Sequence, residues 1–301
     1  MSDDSTNNDF IDHTSEQIYD IEDIASETAK RITVNMNKVL NYKPKVGILG
    51  KTGVGKSSLC NAIFEEKVAE VNDIEACTRE PEKFTMLLGK GSKMVLLDMP
   101  GVGESKERDA EYGKLYRRLV PQLDLIIWVL KADDRAYSTE EVFFEDVVNS
   151  IFGRSPFLIA LNQIEKIEPL HDWDSEMNRP GPGQRENIES KISVVSDTFN
   201  APHKDIIPVS ASQEYGLEDL LLQAVRRLPD EQKFSFEYRV NDKYRSEETK
   251  REARKGRDNA FKEEFRGVWE EHGDKVLKIL AAAAVGGVFN WVGQQRDDDN
   301  S

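Results

Sequence analysis

Cysteine, histidine and positive charge are all scarce in this chain. Its 301 residues contain two cysteines, Cys60 and Cys77, which is too few for a disulfide framework, and their spacing fits no zinc site. Such usage predicts a protein of the reducing cytosol. The four histidines, His13, His171, His203 and His272, are scattered and form no ligand cluster. The 41 Lys and Arg residues are outnumbered by 56 Asp and Glu, for a net charge of −15. That balance argues against a general binder of nucleic acid or anionic membrane, while leaving room for a local basic patch. The opening Met1-Ser2-Asp3-Asp4 is acidic and has no apolar core, so no secretory signal is expected there. Hydrophobic residues at 38% still supply one sizeable core.

What the chain does have is the stretch Gly50-Lys51-Thr52-Gly53-Val54-Gly55-Lys56-Ser57-Ser58. It fits G-x-x-x-x-G-K-[ST], a phosphate-binding loop, and its setting fits too. Lys45 to Leu49 is a short, mostly apolar run that predicts a buried strand, and Leu59 to Phe64 carries apolar residues at helical spacing. Glycines at 50, 53 and 55 allow a tight turn whose N–H groups point inward at phosphate oxygens. The helix beginning near Lys56 adds its positive end. Lys56 would reach the β- and γ-phosphates of a nucleoside triphosphate, and the Ser57 hydroxyl would ligate Mg²⁺.

Around this loop the pattern alternates. Residues 1 to about 30 hold nine acidic side chains and only Lys30 as a base, which predicts a disordered acidic start. An amphipathic helix is expected from about Ser15 to Leu40, ended by Pro44. Lys83–Leu88 and Lys93–Asp98 flank Gly89-Lys90-Gly91-Ser92 as a hairpin, followed by Met99-Pro100-Gly101. Asp124–Leu130, Pro156–Leu161 and Ile206–Val209 read as further buried strands. Helices are expected over Ser105–Val120, Thr139–Phe152, Gln184–Phe199 and Gly216–Leu228. Strands alternating with helices predict a three-layer α/β fold with a mostly parallel sheet and its site at the strand C-termini.

The order and spacing of these pieces resemble the P-loop GTPases of the TrmE–Era–septin-like branch, and most of all the prophage-associated bacterial Era-like GTPases. The resemblance covers about Lys43 to Leu228. It implies a GTPase domain binding GTP or GDP with Mg²⁺ and hydrolysing GTP to GDP and phosphate. Gly50–Ser57 is similar to the first motif, Thr78 to the switch threonine, and Asp98-Met99-Pro100-Gly101 to Asp-x-Pro-Gly, with Ser58 adjoining the loop. Asn162-Gln163-Ile164-Glu165 stands in the place of Asn-Lys-x-Asp, and Ser210-Ala211-Ser212 in that of the Ser-Ala-x loop. By this resemblance, Asn162, Gln163, Glu165, Ser210 and Ala211 join the phosphate loop in holding the nucleotide. Ser57, Thr78 and Asp98 hold the metal, and Lys56, Thr78 and Gly101 serve catalysis. Losing the γ-phosphate would release the Thr78 and Gly101 segments, an order–disorder switch.

Two departures stand out. Glu165 replaces the usual aspartate and Gln163 the usual lysine, so a carboxylate remains for guanine while a charge is lost. Val102 stands where many GTPases have a water-orienting glutamine, which predicts slow intrinsic turnover completed by another group or a partner. Arg79 and Glu104 are the neighbours by sequence.

The expected organisation is therefore 1–42 as acidic segment and helix, 43–228 as GTPase domain, and 229–301 as a charged helical region. Within the last, Phe234, Phe236, Tyr238, Val240 and Tyr244 suggest a short extended piece, and Phe261, Phe265, Val268 and Trp269 an amphipathic helix. Val276 to Val292 is almost wholly apolar but falls at the lower limit of a membrane span, which needs about 20 residues. It allows three readings: a helix buried on the chain, peripheral contact with the inner face of a membrane, or self-association into a homodimer. No G-x-x-G of a KH-type RNA-binding module follows the GTPase region. A partner-recruiting nucleotide switch acting on a protein effector is the first reading. A membrane-associated, dynamin-like assembly GTPase and a module that holds GTP without significant hydrolysis are the alternatives.

Overall fold

The computed structural model describes residues 30, 34, 37–64, 85–89, 92–99, 117, 120–145 and 156–286. By contact the chain divides into two compact units, residues 42–257 and a second formed from residues 1–41 with 258–301.

The larger unit is built on a six-stranded sheet. In chain order its strands are β1 (Lys45–Lys51), β2 (Thr85–Gly89), β3 (Ser92–Met99), β4 (Leu125–Lys131), β5 (Phe157–Asn162) and β6 (Ile206–Pro208). They lie in the order β2-β3-β1-β4-β5-β6. Only β2 and β3 pair antiparallel, as the expected hairpin, with Gly89 opposite Ser92; every other pairing is parallel. The fold is the expected three-layer α/β domain with a mostly parallel sheet.

Among the described residues the helices with defined bounds are α1 (Lys56–Ile63), α2 (Ser138–Phe143), α3 (Pro182–Phe199), α4 (Leu217–Arg227), α5 (Asp230–Glu237) and α6 (Glu247–Gly286). The central strands are apolar throughout because they are covered on both faces. Alternate residues feed opposite layers. Trp128, Leu130, Ile159 and Leu161 pack with Phe144 and with Ile188, Ile192 and Val195 of α3, while Ile127, Val129, Leu158 and Ala160 pack with residues of α1 and α4. Burying a side chain of this size stabilises by about 1.5–3 kcal/mol. Trp128, with no exposed surface, meets the Phe144 ring edge-on at 5.4 Å.

Each helix shows why it forms where it does. In α3, Pro182 takes the first turn, where its missing N–H costs nothing, and Asp172 Oδ2 accepts from the Gly183 and Gln184 amides at 2.7 and 3.1 Å. Its buried face is Gln184, Ile188, Ile192, Val195 and Phe199, and Asn200 ends it in the left-handed conformation. In α4, Glu218 and Asp219 sit in the first turn and Arg226 and Arg227 in the last, complementing the helix dipole.

One expectation fails. The segment from Phe234 to Tyr244 is not extended: residues 230–237 form α5, and a 3₁₀ turn follows at Asp242–Tyr244. The alternation of Phe234, Phe236, Tyr238 and Val240 suggests period two. The buried apolar residues are Phe236, Val240 and Tyr244, while Tyr238 is 62% exposed. Phe236, from the helix, and Val240 and Tyr244, from the turn after it, pack with residues of α1 and α4 rather than adding a sheet edge.

Of the smaller unit, residues 37–40 are helical, as is the stretch of α6 from Asp258 onward. The expected helices over Ser15–Leu40 and Ser105–Val120 lie mostly outside the described residues. Among those described, no helix is long and apolar enough to cross a membrane. Residues 276–286 continue α6 as backbone, and 287–292 lie outside the description.

Candidate functional site

The site forms where the C-terminal ends of β1, β3, β5 and β6 gather. At the end of β1 and beyond it the chain turns through Gly50, Gly53 and Gly55, all with positive φ. Two of these glycines are required by their surroundings. A Cβ on Gly50 (φ 153°) would stand 2.5 Å from the Val129 carbonyl oxygen, and one on Gly55 (φ 90°) 2.5 Å from Asn162 Nδ2. The residue before α1 is Gly55, which has no side chain to cap the helix. Lys56 is 8% exposed, and its ammonium folds into the loop to donate to the carbonyls of Gly50 (2.8 Å) and Lys51 (2.9 Å). Ser57 and Ser58 are exposed at the start of α1.

Cys60, one turn into α1, is 1% exposed, and burial pushes its thiol up to about 12. It is a core residue with no chemistry at neutral pH.

β3 delivers its carboxylate residue by register: Asp98 pairs with Gly50, one strand over from the start of the loop. The Ser57 hydroxyl is a hard oxygen donor of the kind that suits Mg²⁺, a metal that keeps several water and phosphate ligands. Among the described residues no three His, Cys, Asp or Glu gather to hold a metal. A Mg²⁺ site shared with phosphate oxygens needs no such group. Thr78, Arg79, Pro100, Gly101, Val102 and Glu104 lie outside the described residues.

At the other end of the site β5 runs into Asn162, which is 1% exposed. Its amide works in two directions, donating from Nδ2 to the Val54 carbonyl (2.8 Å) and accepting at Oδ1 from the Ala211 amide (3.0 Å). One side chain thus ties the phosphate loop to the loop after β6. Gln163 takes the left-handed conformation (φ 66°), so the chain turns sharply. Its Nε2 donates to the Gly53 carbonyl (3.2 Å), and Lys166 Nζ donates to its Oε1 (2.7 Å). The motif's lost lysine charge therefore reappears three residues on, behind the glutamine.

Glu165 sits on a short 3₁₀ turn, Ile164–Lys166. Its Oε1 accepts from the Ser212 hydroxyl at 3.0 Å, while Oε2 is shielded from solvent and has no hydrogen-bond partner among the described residues. Leaving a buried acceptor unpaired costs about 1–3 kcal/mol. The Ser210 hydroxyl lies 3.2 Å from that of Ser212 and accepts from the Gln213 amide at 3.1 Å.

Behind these loops the segment between β5 and α3 acts as a brace. Gln184 Nε2 donates to the Ile167 carbonyl (2.8 Å), Asn178 Nδ2 donates to the Gln213 carbonyl (2.5 Å), and Trp173 meets Tyr215 edge-on at 5.7 Å. The structure thus brings together Gly50–Ser58, Asn162, Gln163, Glu165, Ser210 and Ala211. It adds Lys166, Ser212, Asn178 and Gln184, which sequence reasoning did not single out. Only the Ser-Ala-Ser and Gln-x-x-Lys spacings hint at the first two.

A glycine loop closed over a lysine at a strand-to-helix junction, with loops from the next strand ends converging on it, defines the P-loop nucleotide-binding class. Comparison with known proteins narrows it. The family described as 50S ribosome-binding GTPase matches residues 45–163. YkfA of Escherichia coli K12 is 37% identical over 232 residues, which are 77% of this chain and 78% of YkfA. YfjP of the same organism is 41% identical over 203 residues, 67% of this chain and 68% of YfjP. The GTPase Era of Caldanaerobacter subterraneus subsp. tengcongensis is 24% identical over 198 residues, 65% of this chain and 59% of Era. The chain belongs to the Era-like P-loop GTPases.

Proposed function

We propose that this chain is a Mg²⁺-dependent, guanine-selective GTP hydrolase with slow intrinsic turnover, working as a nucleotide switch. The observation that carries the reading is the joining of the loop after β5, which bears Glu165, to the phosphate loop, through Asn162 Nδ2 to the Val54 carbonyl and Gln163 Nε2 to the Gly53 carbonyl. Guanine offers N1–H and N2–H donors along one edge, whereas adenine presents an acceptor at N1. A fixed carboxylate therefore favours guanine and rejects adenine.

In this reading the loop amides and the N-terminal end of α1 hold the α- and β-phosphates, and Lys56 brings positive charge to the β–γ bridge. Ser57, Thr78 and Asp98 would hold Mg²⁺, which neutralises charge developing on the phosphates. The Gly101 amide would sense the γ-phosphate. Asn162 and Ala211 set the distance between base and phosphate ends, with Gln163 packed across the loop. Slow turnover follows from Val102, which has no polar group to orient the attacking water.

The test is calorimetry with GTP and ATP, with and without Mg²⁺, followed by phosphate release from the isolated monomer. The expected result is selective, Mg²⁺-dependent GTP binding, with turnover well below the ~1 s⁻¹ of partner-activated GTPases. Equal affinity for GTP and ATP would overturn the guanine assignment. A fast monomer would overturn the idea of a missing water-holder.

A further inference from the structure

We propose that Glu140 is a positioning residue for the phosphate-binding lysine, acting on Lys56 through the side chain of Lys51. The inference rests on the reading of Lys56 as the lysine of the phosphate loop and is independent of how the base is read.

Glu140 stands out against its surroundings. It lies in the first turn of α2, on the face that also carries Tyr137, three residues before it, and Phe144, four residues after. Those two side chains are 4% and 2% exposed and belong to the apolar cluster on that side of the sheet. Helical spacing thus sets a carboxylate where an apolar side chain would be expected. Glu140 itself is 1% exposed, and its Oε1 is shielded from solvent and accepts no hydrogen bond among the described residues. A carboxylate so placed needs a charge to answer it.

The cation that answers it is Lys51, whose Nζ stands 3.7 Å from Oε1. Lys51 is the last residue of β1, two positions after the fully buried Leu49, so strand alternation directs both towards the cluster that holds Tyr137 and Phe144. The Lys51 carbonyl accepts from Lys56 Nζ at 2.9 Å and from the Val54 amide at 3.4 Å. Lys51 therefore faces two ways: its ammonium meets a buried carboxylate, and its carbonyl holds the ammonium of Lys56. Its side chain is 43% exposed and would sweep through solvent without that anchor. Pinning it limits rotation of the peptide whose carbonyl sets the direction of Lys56, and a misdirected lysine cannot meet the phosphates.

The experiment uses the full chain with Glu140→Gln, Lys51→Met, the double variant and Lys51→Arg. Lys51 is outside the core, so its variants keep the test open if Glu140→Gln folds poorly. The first measurement needs no nucleotide: lysines are labelled with acetic anhydride and mapped by mass spectrometry. Lys56 is expected to label about fivefold faster in each single variant than in the wild type, a loss of about 1 kcal/mol of protection. In the second, calorimetry, each single variant should weaken GTP, GDP and ATP alike, again about fivefold. The double variant should be no weaker than the weaker single, since Glu140 acts through Lys51. Lys51→Arg, which keeps the cation, should recover most of what Lys51→Met loses. The proposal is overturned if Lys56 labels at the wild-type rate in both single variants, or if the two losses in affinity add in full. Either result, with a wild type that binds GTP, leaves the phosphate-loop reading of Lys56 standing. A wild type that binds no nucleoside triphosphate would overturn both.

Discussion

The two ends of the site are built from different materials. At the loop after β1 the structure is made of backbone: three glycines with positive φ, and a lysine folded onto two carbonyls of its own loop. At the ends of β5 and β6 it is made of side chains, with Glu165 accepting from Ser212, Gln163 from Lys166, and Asn162 bonded to both loops. A backbone cradle leaves little freedom at the positions that must be glycine. A side-chain reader can exchange one residue for another if neighbours compensate, and the glutamate and glutamine of the fourth motif are such exchanges.

The largest expected effect is on the backbone side. Gly55→Ala would place a Cβ 2.5 Å from Asn162 Nδ2 on a φ of 90°. It should weaken all nucleotides by about a hundredfold or more, given strain of about 1–3 kcal/mol together with a lost hydrogen bond. Calorimetry reads the affinity, and circular dichroism checks that the sheet survives.

Asn162→Ala tests whether the two ends are one object. It should weaken GTP and ATP by a similar factor and lower the stability by about 1–3 kcal/mol, because it leaves Val54 and Ala211 without their partner. A loss confined to GTP would mean that the ends are independent.

Glu165→Ala sharpens the contrast: GTP should weaken at least tenfold, at about 1.4 kcal/mol per factor of ten, while ATP barely changes. Lys166→Ala should cost GTP only about twofold to threefold, since its bond to Gln163 is exposed and such contacts are worth ~1 kcal/mol or less.

The smallest effect concerns Cys60. Its thiol is raised from 9.0 to about 12 by burial, so the folded state holds that proton more tightly than the unfolded chain. The stability it contributes is fully present below about pH 9 and is lost as pH rises towards 12. In a Cys77→Ser background, alkylation at pH 8 should be slow when folded and fast in denaturant.

The same contrast explains what could be read in advance. The phosphate loop is contiguous, so its glycines, lysine and flanking strand and helix are visible as one string. The strands were legible because apolar runs such as Leu125–Leu130 have little else to become. Ser212 and Lys166 were missed because their roles depend on partners. Ser212 is 47 residues from Glu165, and no local period predicts that encounter. The segment from Phe234 to Tyr244 was misread because its aromatics alternate, while the residues it buries are Phe236, from a helix, and Val240 and Tyr244, from the turn after it.

Asn162 carries a consequence for how the two loops can move. An amide that is 1% exposed and bonded to both loops makes the floor of the site a single rigid plate. The two loops are thereby coupled, since neither can shift without breaking a bond to the same side chain.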